Sequence, residues 1–270
     1  MTLDVVAREG LVVLGCGKMG SALLAGWLKA GVPPGSVWVI EPTPTDWLVH
    51  TGVHLNKGIP PAPAVALLAV KPQMMGAALP SLQALGNGNT LFVSIAAGTS
   101  IASFEAVLGD KTPIVRTMPN TPAMVGRGIT GICANTLAGA KGLALARDLM
   151  LAVGDVVELD GEHQIDAVTG VSGSGPAYVF HLIEALAQAG AAQGLSPDVA
   201  MKLARATVCG AGELAFHSPE SAAQLRINVT SPGGTTAAAL AVLMNPETGF
   251  SPLLTKAVKA AADRGRELGQ

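Results

Sequence analysis

The sequence has few charged residues, few aromatic residues and no dense run of lysine and arginine. Charged residues make up 13% and aromatic residues 3% of the 270 residues, and the formal net charge is -2. Nucleic acids and anionic membrane surfaces are bound by concentrated positive charge. The sequence therefore favours neither partner, and a small-molecule role is left open.

Cysteine is also scarce, and long apolar runs are missing. Cys16, Cys133 and Cys209 are odd in number and far apart, which fits neither a disulfide framework nor a clustered metal site. The first residues carry two acids before a short apolar run, so no signal peptide is indicated. No run approaches the roughly 18 apolar residues of a membrane-spanning helix. We therefore expect a cytoplasmic protein without a metal site.

Hydrophobic residues, at 49% of the chain, follow two different patterns. Up to about residue 160, short runs of Val, Ile and Leu alternate with segments of helical periodicity, which predicts βαβ units and a mostly parallel sheet covered on both faces. The predicted strands are 11–15, 37–40, 64–70, 90–96, 113–117, 129–133 and 155–159. This pattern predicts an α/β domain over residues 1–161.

Beyond Asp166 the alternation disappears and only helical spacing remains. The helical segments are 177–194, 196–216, 218–228, 234–244 and 251–265. Three of them open with Ser-Pro, at Ser196, Ser218 and Ser251, which predicts a cap followed by proline at the first helical position. The sequence therefore predicts an all-α second domain over residues 162–270.

The predicted helices of the second domain carry apolar residues on more than one face. That is more than a layer of about 100 residues can bury within itself. We favour an obligate homodimer in which a second copy covers these faces. The alternative is an internal helical core packed on the sheet.

A glycine motif follows the first predicted strand. Gly15, Gly17 and Gly20 have G-x-G-x-x-G spacing between that strand and a helix. The first glycine permits a tight turn, the second lets the backbone approach a pyrophosphate, and the third allows close packing of helix and strand. The helix N-terminus attracts the phosphates. We predict a Rossmann dinucleotide-binding domain, the alternative being a glycine-rich turn without a ligand.

An acidic residue ends the second predicted strand. Glu41 lies 21 positions after Gly20, where a carboxylate binds the adenosine ribose hydroxyls and repels a 2′-phosphate. No Arg or Lys follows before Lys57, so the cation that accommodates that phosphate has no source nearby. This favours NADH over NADPH, the alternative being that Glu41 is a solvated strand end.

Three later strand ends are candidate walls of the cofactor crevice, because ligands of open α/β sheets lie outside the carboxyl ends of the strands. They are residues 69–72, 94–98 and 116–128. Lys71 and Pro72, and the prolines on both sides of Asn120, would form rigid loops. Ordinary loop prolines are the alternative.

The helical half contains two glycine-rich interruptions. In residues 231–236, Gly233 and Gly234 should leave bare N–H groups after Pro232, and Thr235 or Thr236 adds a hydroxyl beside the next helix. This arrangement predicts an anion pocket suited to a small carboxylate, the alternative being an ordinary turn with a threonine cap. The other interruption, 173–175, brings small residues close to a packed helix or to a ligand.

The chain-wide order of these motifs resembles the pyrroline-5-carboxylate reductase family. The resemblance runs from residue 11 to about 254 and is carried by GCGKMG, AVKP, SIAAG, MPNTPAMVGRG, DAVTGVSGSGPAY and VTSPGGTTAAAL. It implies reduction of 1-pyrroline-5-carboxylate to L-proline with NAD(P)H. It also implies a Rossmann half and a helical half that interlocks in a dimer, often built into larger rings. Segments 41–47 and 57–63 depart from the family pattern at the adenosine end, which leaves cofactor preference open.

The motifs and the resemblance together give a set of site residues. For the cofactor they are Gly15, Cys16, Gly17, Lys18, Met19, Gly20, Glu41, Asn56, Ala69, Val70, Lys71, Pro72, Ala96, Ala97, Gly98, Asn120 and Asn228. For the substrate they are Ser231, Gly233, Gly234, Thr235, Thr236, Glu162 and Ser174. The resemblance places Asn56, 14 positions before Val70, at the cofactor and Asn228 near the nicotinamide. It implies that Thr236 hydrogen-bonds the ring nitrogen and that Glu162 borders the pocket.

The expected chemistry is catalysis by positioning. No histidine or acid pair stands out near residues 231–236, so we expect the imine to be protonated from solvent, with His163 and His181 as alternative acids. Two other functions stay open at this point. One is another Rossmann imine or 3-hydroxyacid reductase, although 3-hydroxyacid dehydrogenases need a lysine that residues 173–185 lack. The other is a non-catalytic dinucleotide sensor.

Overall fold

The computed structural model describes residues 3–269 and contains an eight-stranded sheet. The strands are β1 Leu11–Leu14, β2 Val37–Ile40, β3 His54–Leu55, β4 Val65–Leu68, β5 Leu91–Ser94, β6 Ile114–Met118, β7 Gly128–Ala134 and β8 Gly154–Glu158. Their order is β3-β2-β1-β4-β5-β6-β7-β8, and every neighbouring pair is parallel except β6 and β7. The mostly parallel sheet and its seven predicted strands are confirmed. The two-residue strand β3 is too short to leave a pattern in the sequence.

Twelve helices complete the described part of the chain. They are α1 Leu3–Glu9, α2 Lys18–Lys29, α3 Asp46–Val49, α4 Pro72–Ala78, α5 Ile101–Leu108, α6 Gly139–Leu151, α7 Ile165–Val168, α8 Gly175–Ala192, α9 Pro197–His217, α10 Ala222–Asn228, α11 Thr235–Leu243 and α12 Phe250–Leu268. Short 3₁₀ turns cover Glu162–Gln164 and Thr121–Val125, and a π turn covers Thr169–Gly173. None of the described helices is both long enough and apolar enough to cross a membrane.

The sheet is covered on both faces, and its strand order creates a crevice. Leu11 and Val13 of β1 point into one apolar layer, and Val12 and Leu14 point into the other. After β3 the chain crosses to the far side of β1 and continues as β4. The strand order therefore reverses between β1 and β4, which is where dinucleotides bind in such sheets.

Only one of the three predicted Ser-Pro helix starts is correct. Ser196 is the N-cap of α9, with Pro197 at its first position. Helix α10 begins later than predicted because the hydroxyl of Ser221 accepts the N–H of Gln224 and caps it there. Helix α12 begins at Phe250, because its first turn accommodates the Ser-Pro pair that was expected to start it.

The chain divides into two compact units. One contains the chain up to Gly173 together with the segment from Ala261 onward, and the other is Ser174–Ala260. Residues 162–173 group with the sheet because Ile165 is buried with Met118 and Cys133. The predicted domain boundary at residue 161 marks where strand–helix alternation ends, and it stays a prediction.

The second unit has little interior of its own. Helices α8 and α9 pack through small residues, with Ala187, Ala200 and Ala204 buried between them. Helices α10 and α11 bury no side chain, although α11 is apolar all round its surface. Phe180 and Val242 are 61% and 71% exposed. Large apolar side chains of this unit are therefore exposed in a single chain.

Candidate active site

The glycine motif forms a tight turn between β1 and α2. Gly15 has φ of +87°, and a Cβ at this position would lie 2.7 Å from Cγ1 of Val70. A Cβ on Gly20 would lie 2.8 Å from the carbonyl oxygen of Gly15. The first and third glycines are therefore required by the fold, one by the turn and the other by the close approach of helix and strand.

The second glycine has no such structural reason. Gly17 has φ of −68°, which any residue can adopt, and nothing lies within 4 Å of a Cβ built on it. Gly17 is the N-cap of α2, and the first helical bond joins the N–H of Ser21 to its carbonyl oxygen. The preceding N–H groups lie outside the helical ladder and can meet an anion. The open space at Gly17 fits a pyrophosphate lying against the backbone.

Cys16, within the same turn, is not a nucleophile. Its side chain is buried, and burial raises the pKa of the thiol above its ordinary value. The thiol is therefore protonated at neutral pH. Its backbone N–H donates to Oε2 of Glu41 at 2.8 Å.

Glu41 is a fixed carboxylate rather than a freely solvated strand end. Besides the bond from Cys16, its Oε1 accepts the N–H of Thr43 at 3.0 Å and the hydroxyl of Thr43 at 3.2 Å. The carboxylate is thereby held at the carboxyl end of β2, beside the glycine turn. This is the position from which an acidic side chain binds the adenosine ribose. Thr43 was not among the predicted residues, although it lies only two positions beyond Glu41.

The side chain of Asn56 hydrogen-bonds the backbone of Glu41. Its side-chain oxygen accepts the N–H of Glu41 at 3.0 Å, and its side-chain nitrogen donates to the carbonyl of Glu41 at 2.9 Å. Asn56 itself has φ of +53°, a conformation that asparagine tolerates. Both polar atoms of the Asn56 side chain thus hold the backbone of Glu41 in place.

The ends of β4 and β5 form the next walls of the crevice. Lys71 is the exposed N-cap of α4, and Pro72 is the first residue of that helix. After β5, the hydroxyl of Ser94 accepts the N–H of Ala96 at 3.1 Å. Gly98 has φ of +71°, and its Cβ would lie 2.9 Å from Cβ of Leu268 at the end of α12. Helix packing thus accounts for glycine at this position, and Ala97 precedes it half-buried.

The side chain of Asn120 stabilises the loop that follows β6. Its side-chain oxygen accepts the N–H of Ile129 at 2.9 Å, and its side-chain nitrogen donates to the carbonyl of Ser172 at 3.2 Å. These bonds hold the turn Thr121–Val125 against β7 and the π turn. Asn120 therefore has a structural role that the sequence did not reveal.

Glu162 forms an ion pair that the sequence analysis missed. Its Oε1 lies 2.6 Å from Nη1 of Arg116 and 2.7 Å from the backbone nitrogen of Ile101, and accepts a hydrogen bond from each. Arg116 is buried in β6, whereas Glu162 is half-buried and borders a cavity of about 360 Å³ within the first unit. The available signal was the single charged residue inside the apolar run 113–117.

The predicted anion loop lies in the second unit, before α11. Gly233 has φ of +68°, and the N–H of Gly234 donates to the carbonyl of Ser231 at 3.0 Å. The expectation that both glycines offer bare N–H groups is therefore wrong for Gly234, whose N–H closes the turn. The first helical bond joins Ala238 to Gly234, so the first turn of α11, including Thr235 and Thr236, presents the free donors instead.

Two further candidates lie in the second unit. The side chain of Asn228 is bonded to Gln224 at 2.8 Å and to Glu220 at 2.9 Å. Ser174 is the N-cap of α8 without a side-chain cap bond. Apart from Asn228, the predicted cofactor residues all lie in the first unit; the predicted substrate residues, apart from Glu162, all lie in the second. Their contacts with ligands stay predictions.

The reversal of strand order, the glycine turn and the acid at the end of β2 define a Rossmann-type oxidoreductase that binds a nicotinamide dinucleotide. The family model for pyrroline-5-carboxylate reductase dimerisation matches residues 162–268, and the one for coenzyme F420-dependent NADP oxidoreductase matches residues 10–98. The chain belongs to the pyrroline-5-carboxylate reductase family. The predicted family and fold class are thereby confirmed, with a Rossmann-like first domain followed by a helical dimerisation domain.

Three relatives show how far this similarity extends. The pyrroline-5-carboxylate reductase of Synechocystis sp. is 44% identical over 96% of this chain and 98% of its own length. The structure of the reductase from Coxiella burnetii is 34% identical, with a TM-score of 0.89 over 97% of this chain and 99% of that one. The Plasmodium falciparum reductase, solved with NADP bound, is 30% identical, with a TM-score of 0.83 and the same coverage.

Substitution of Gly17 separates ligand binding from folding. We expect Gly17→Ala to leave the melting temperature unchanged and to weaken NADH binding, because the new methyl group meets no protein atom but occupies the pyrophosphate position. Gly15→Ala is the matched control, and it should lower the melting temperature because of its φ and its contact with Val70. Fluorescence titration with NADH and thermal melting measure the two effects. Unchanged NADH affinity in Gly17→Ala would contradict the assignment of the pyrophosphate to this turn.

Proposed function

We propose that the chain is a pyrroline-5-carboxylate reductase. It transfers a hydride from NADH or NADPH to the C=N bond of 1-pyrroline-5-carboxylate and yields L-proline, the last step of proline biosynthesis. Residues 1–161 hold the dinucleotide, and residues 162–270 dimerise and hold the substrate. The observation that carries this proposal is the first turn of α11, whose free N–H groups lie beside the hydroxyls of Thr235 and Thr236.

The substrate is held at both of its polar ends. The N–H groups of the first turn of α11 bind the carboxylate, where the helix dipole favours negative charge. Thr236 hydrogen-bonds the ring nitrogen next to the carbon that is reduced. When bound, the dinucleotide supplies the hydride. The protein's contribution is to hold the two reactants at roughly 3–3.5 Å and to exclude water.

The proton on the imine comes from solvent. His163 is exposed, and His181 lies on the exposed surface of α8, where it pairs with Glu184 at 3.2 Å. Neither histidine is held in a closed environment that would make it a dedicated acid. 3-Hydroxyacid dehydrogenases, the competing class, need a lysine in this helix, and α8 contains none.

Thr236 provides the direct test of this function. With 1-pyrroline-5-carboxylate, Thr236→Val should lower kcat/KM by about 10²-fold, because the hydroxyl bond to the ring nitrogen is lost while the shape is kept. Thr236→Ser keeps the hydroxyl and should retain most of the activity. NADH or NADPH consumption measures both variants. NADH binding without turnover of any cyclic imine by the wild-type protein would favour the dinucleotide sensor instead.

The functional form is a homodimer, which members of the family often build into larger rings. Helices α10 and α11 bury no side chain within one chain, and α11, which is apolar beyond its first turn, needs cover. A second copy supplies that cover. The protein works in the cytoplasm, where its three free cysteines stay reduced.

The dimer is tested by sedimentation. We expect a dimer or larger assembly at micromolar concentration, and Val242→Asp on α11 should dissociate it because a carboxylate would be buried at the interface. Val49→Asp is the matched control: Val49 is 54% exposed in the first unit, and its replacement should leave the assembly intact. A wild-type monomer at that concentration would contradict the proposal.

Glu41 favours NADH over NADPH. A 2′-phosphate on the adenosine ribose would face a carboxylate that three hydrogen bonds hold in place. We expect wild-type kcat/KM to be higher with NADH, and Glu41→Gln to shift the ratio toward NADPH by about tenfold, because the repulsion is removed. Asp110→Asn, an exposed control elsewhere on the surface, should not change the ratio. A wild-type preference for NADPH would overturn this assignment.

A further inference from the structure

The loop between β5 and α5, residues 95–100, lies at the half of the crevice that is opposite the adenosine. Glu41 at the end of β2 marks the adenosine side, and the strand order continues across the reversal as β4 and β5. The nicotinamide half of a bound dinucleotide therefore lies over the ends of β4 and β5. The loop that leaves β5 is one of the segments of this unit that border that position.

This loop is fixed at its start and in its middle. At its start, Ser94 accepts the N–H of Ala96 through its hydroxyl and the hydroxyl of Thr117 through its carbonyl, at 3.1 and 3.0 Å. In its middle, Gly98 packs against Leu268. These contacts do not reach the last part of the loop, which leads into α5 and is held by other groups.

Glu162 holds that last part. The hydroxyl of Ser100 caps the N–H of Ser103 at 3.1 Å, and Oε1 of Glu162 takes the N–H of Ile101 at 2.7 Å. A carboxylate at the N-terminus of a helix is stabilised by the helix dipole. The same oxygen accepts Nη1 of Arg116, which is buried in β6 and cannot follow a displaced partner freely. The ion pair thus ties the loop end to a central strand.

We infer that Glu162 and Arg116 are positioning residues that fix the loop 95–100 against the nicotinamide half of the cofactor. This inference rests on the proposed dinucleotide site and assigns Glu162 a role beyond bordering the substrate. Loss of the carboxylate frees the N–H of Ile101 and the end of the loop. The nicotinamide then loses its wall, whereas the adenosine, pyrophosphate and Glu41 contacts are untouched.

The test compares two ligands that differ in the nicotinamide. In Glu162→Ala, the Kd for NADH should rise about tenfold, since small displacements at such a wall are costly. The Kd for ADP-ribose, which lacks the nicotinamide, should stay unchanged. Glu162→Gln keeps an acceptor for Ile101 and should restore part of the NADH affinity. Glu158→Gln removes an exposed ion pair with Arg147 and is the matched control that should change neither ligand.

Glu162→Ala leaves a buried arginine without its partner, which could unfold the protein. A second variant is therefore needed that removes the ion pair without leaving a buried charge. Arg116→Met combined with Glu162→Met removes both charges at similar volume, and it should also weaken NADH alone because Ile101 still lacks an acceptor. Unchanged NADH affinity, or equal weakening of both ligands, would overturn the inference. So would a higher KM for pyrroline-5-carboxylate with NADH affinity intact, which would make Glu162 a substrate contact. Because both titrations omit the imine, failure of the proposed reaction would be seen separately.

Discussion

The structure of the cofactor crevice depends on how closely β1, β2 and β4 meet at their carboxyl ends. The N–H of Gly15 donates to the carbonyl of Ile40 at 2.9 Å, and the N–H of Ala69 donates to Leu14 at 2.8 Å. Together with the close approach of Val70, these bonds leave no room for a side chain at Gly15. Only three residues therefore separate the end of β1 from the start of α2, and the N–H groups of the first turn of α2 lie outside the helical ladder.

Two carboxylates, those of Glu41 and Glu162, each hold the backbone near this crevice by accepting a backbone N–H. Glu41 accepts the N–H of Cys16, which follows β1, and Glu162 accepts the N–H of Ile101, the first residue of α5. A backbone donor fixes a carboxylate in place, and the proposed ribose contact of Glu41 relies on this fixed position. Glu162 has a buried guanidinium as its second partner, and its charge is used within the protein. Both carboxylates therefore fix backbone within the first unit, and Glu41 is in addition the proposed ligand of the ribose.

The sequence predicted what depends on local pattern. The seven longer strands are short, mainly apolar runs bounded by turn residues, and the glycine spacing between a strand and a helix indicates a dinucleotide site by itself. It did not predict contacts between distant residues. The packing of Leu268 on Gly98 joins positions far apart in the chain, and Arg116 finds Glu162 only because β6 and the turn after β8 lie side by side. Ser-Pro misplaced the starts of α10 and α12 because Ser221 was an equally good cap, and a first turn accepts proline.

In the proposed dimer, assembly and substrate binding depend on the same helix. The proposal assigns the carboxylate to the first turn of α11, and the rest of that helix is apolar and buries no side chain within one chain. A helix of nine residues is too short to be stable in water by itself. Its donors are fixed in direction only when the apolar part is packed against another surface. The cover provided by a second copy therefore orders the anion loop as well as hiding apolar surface, because a carboxylate is bound tightly only by donors that already point the right way.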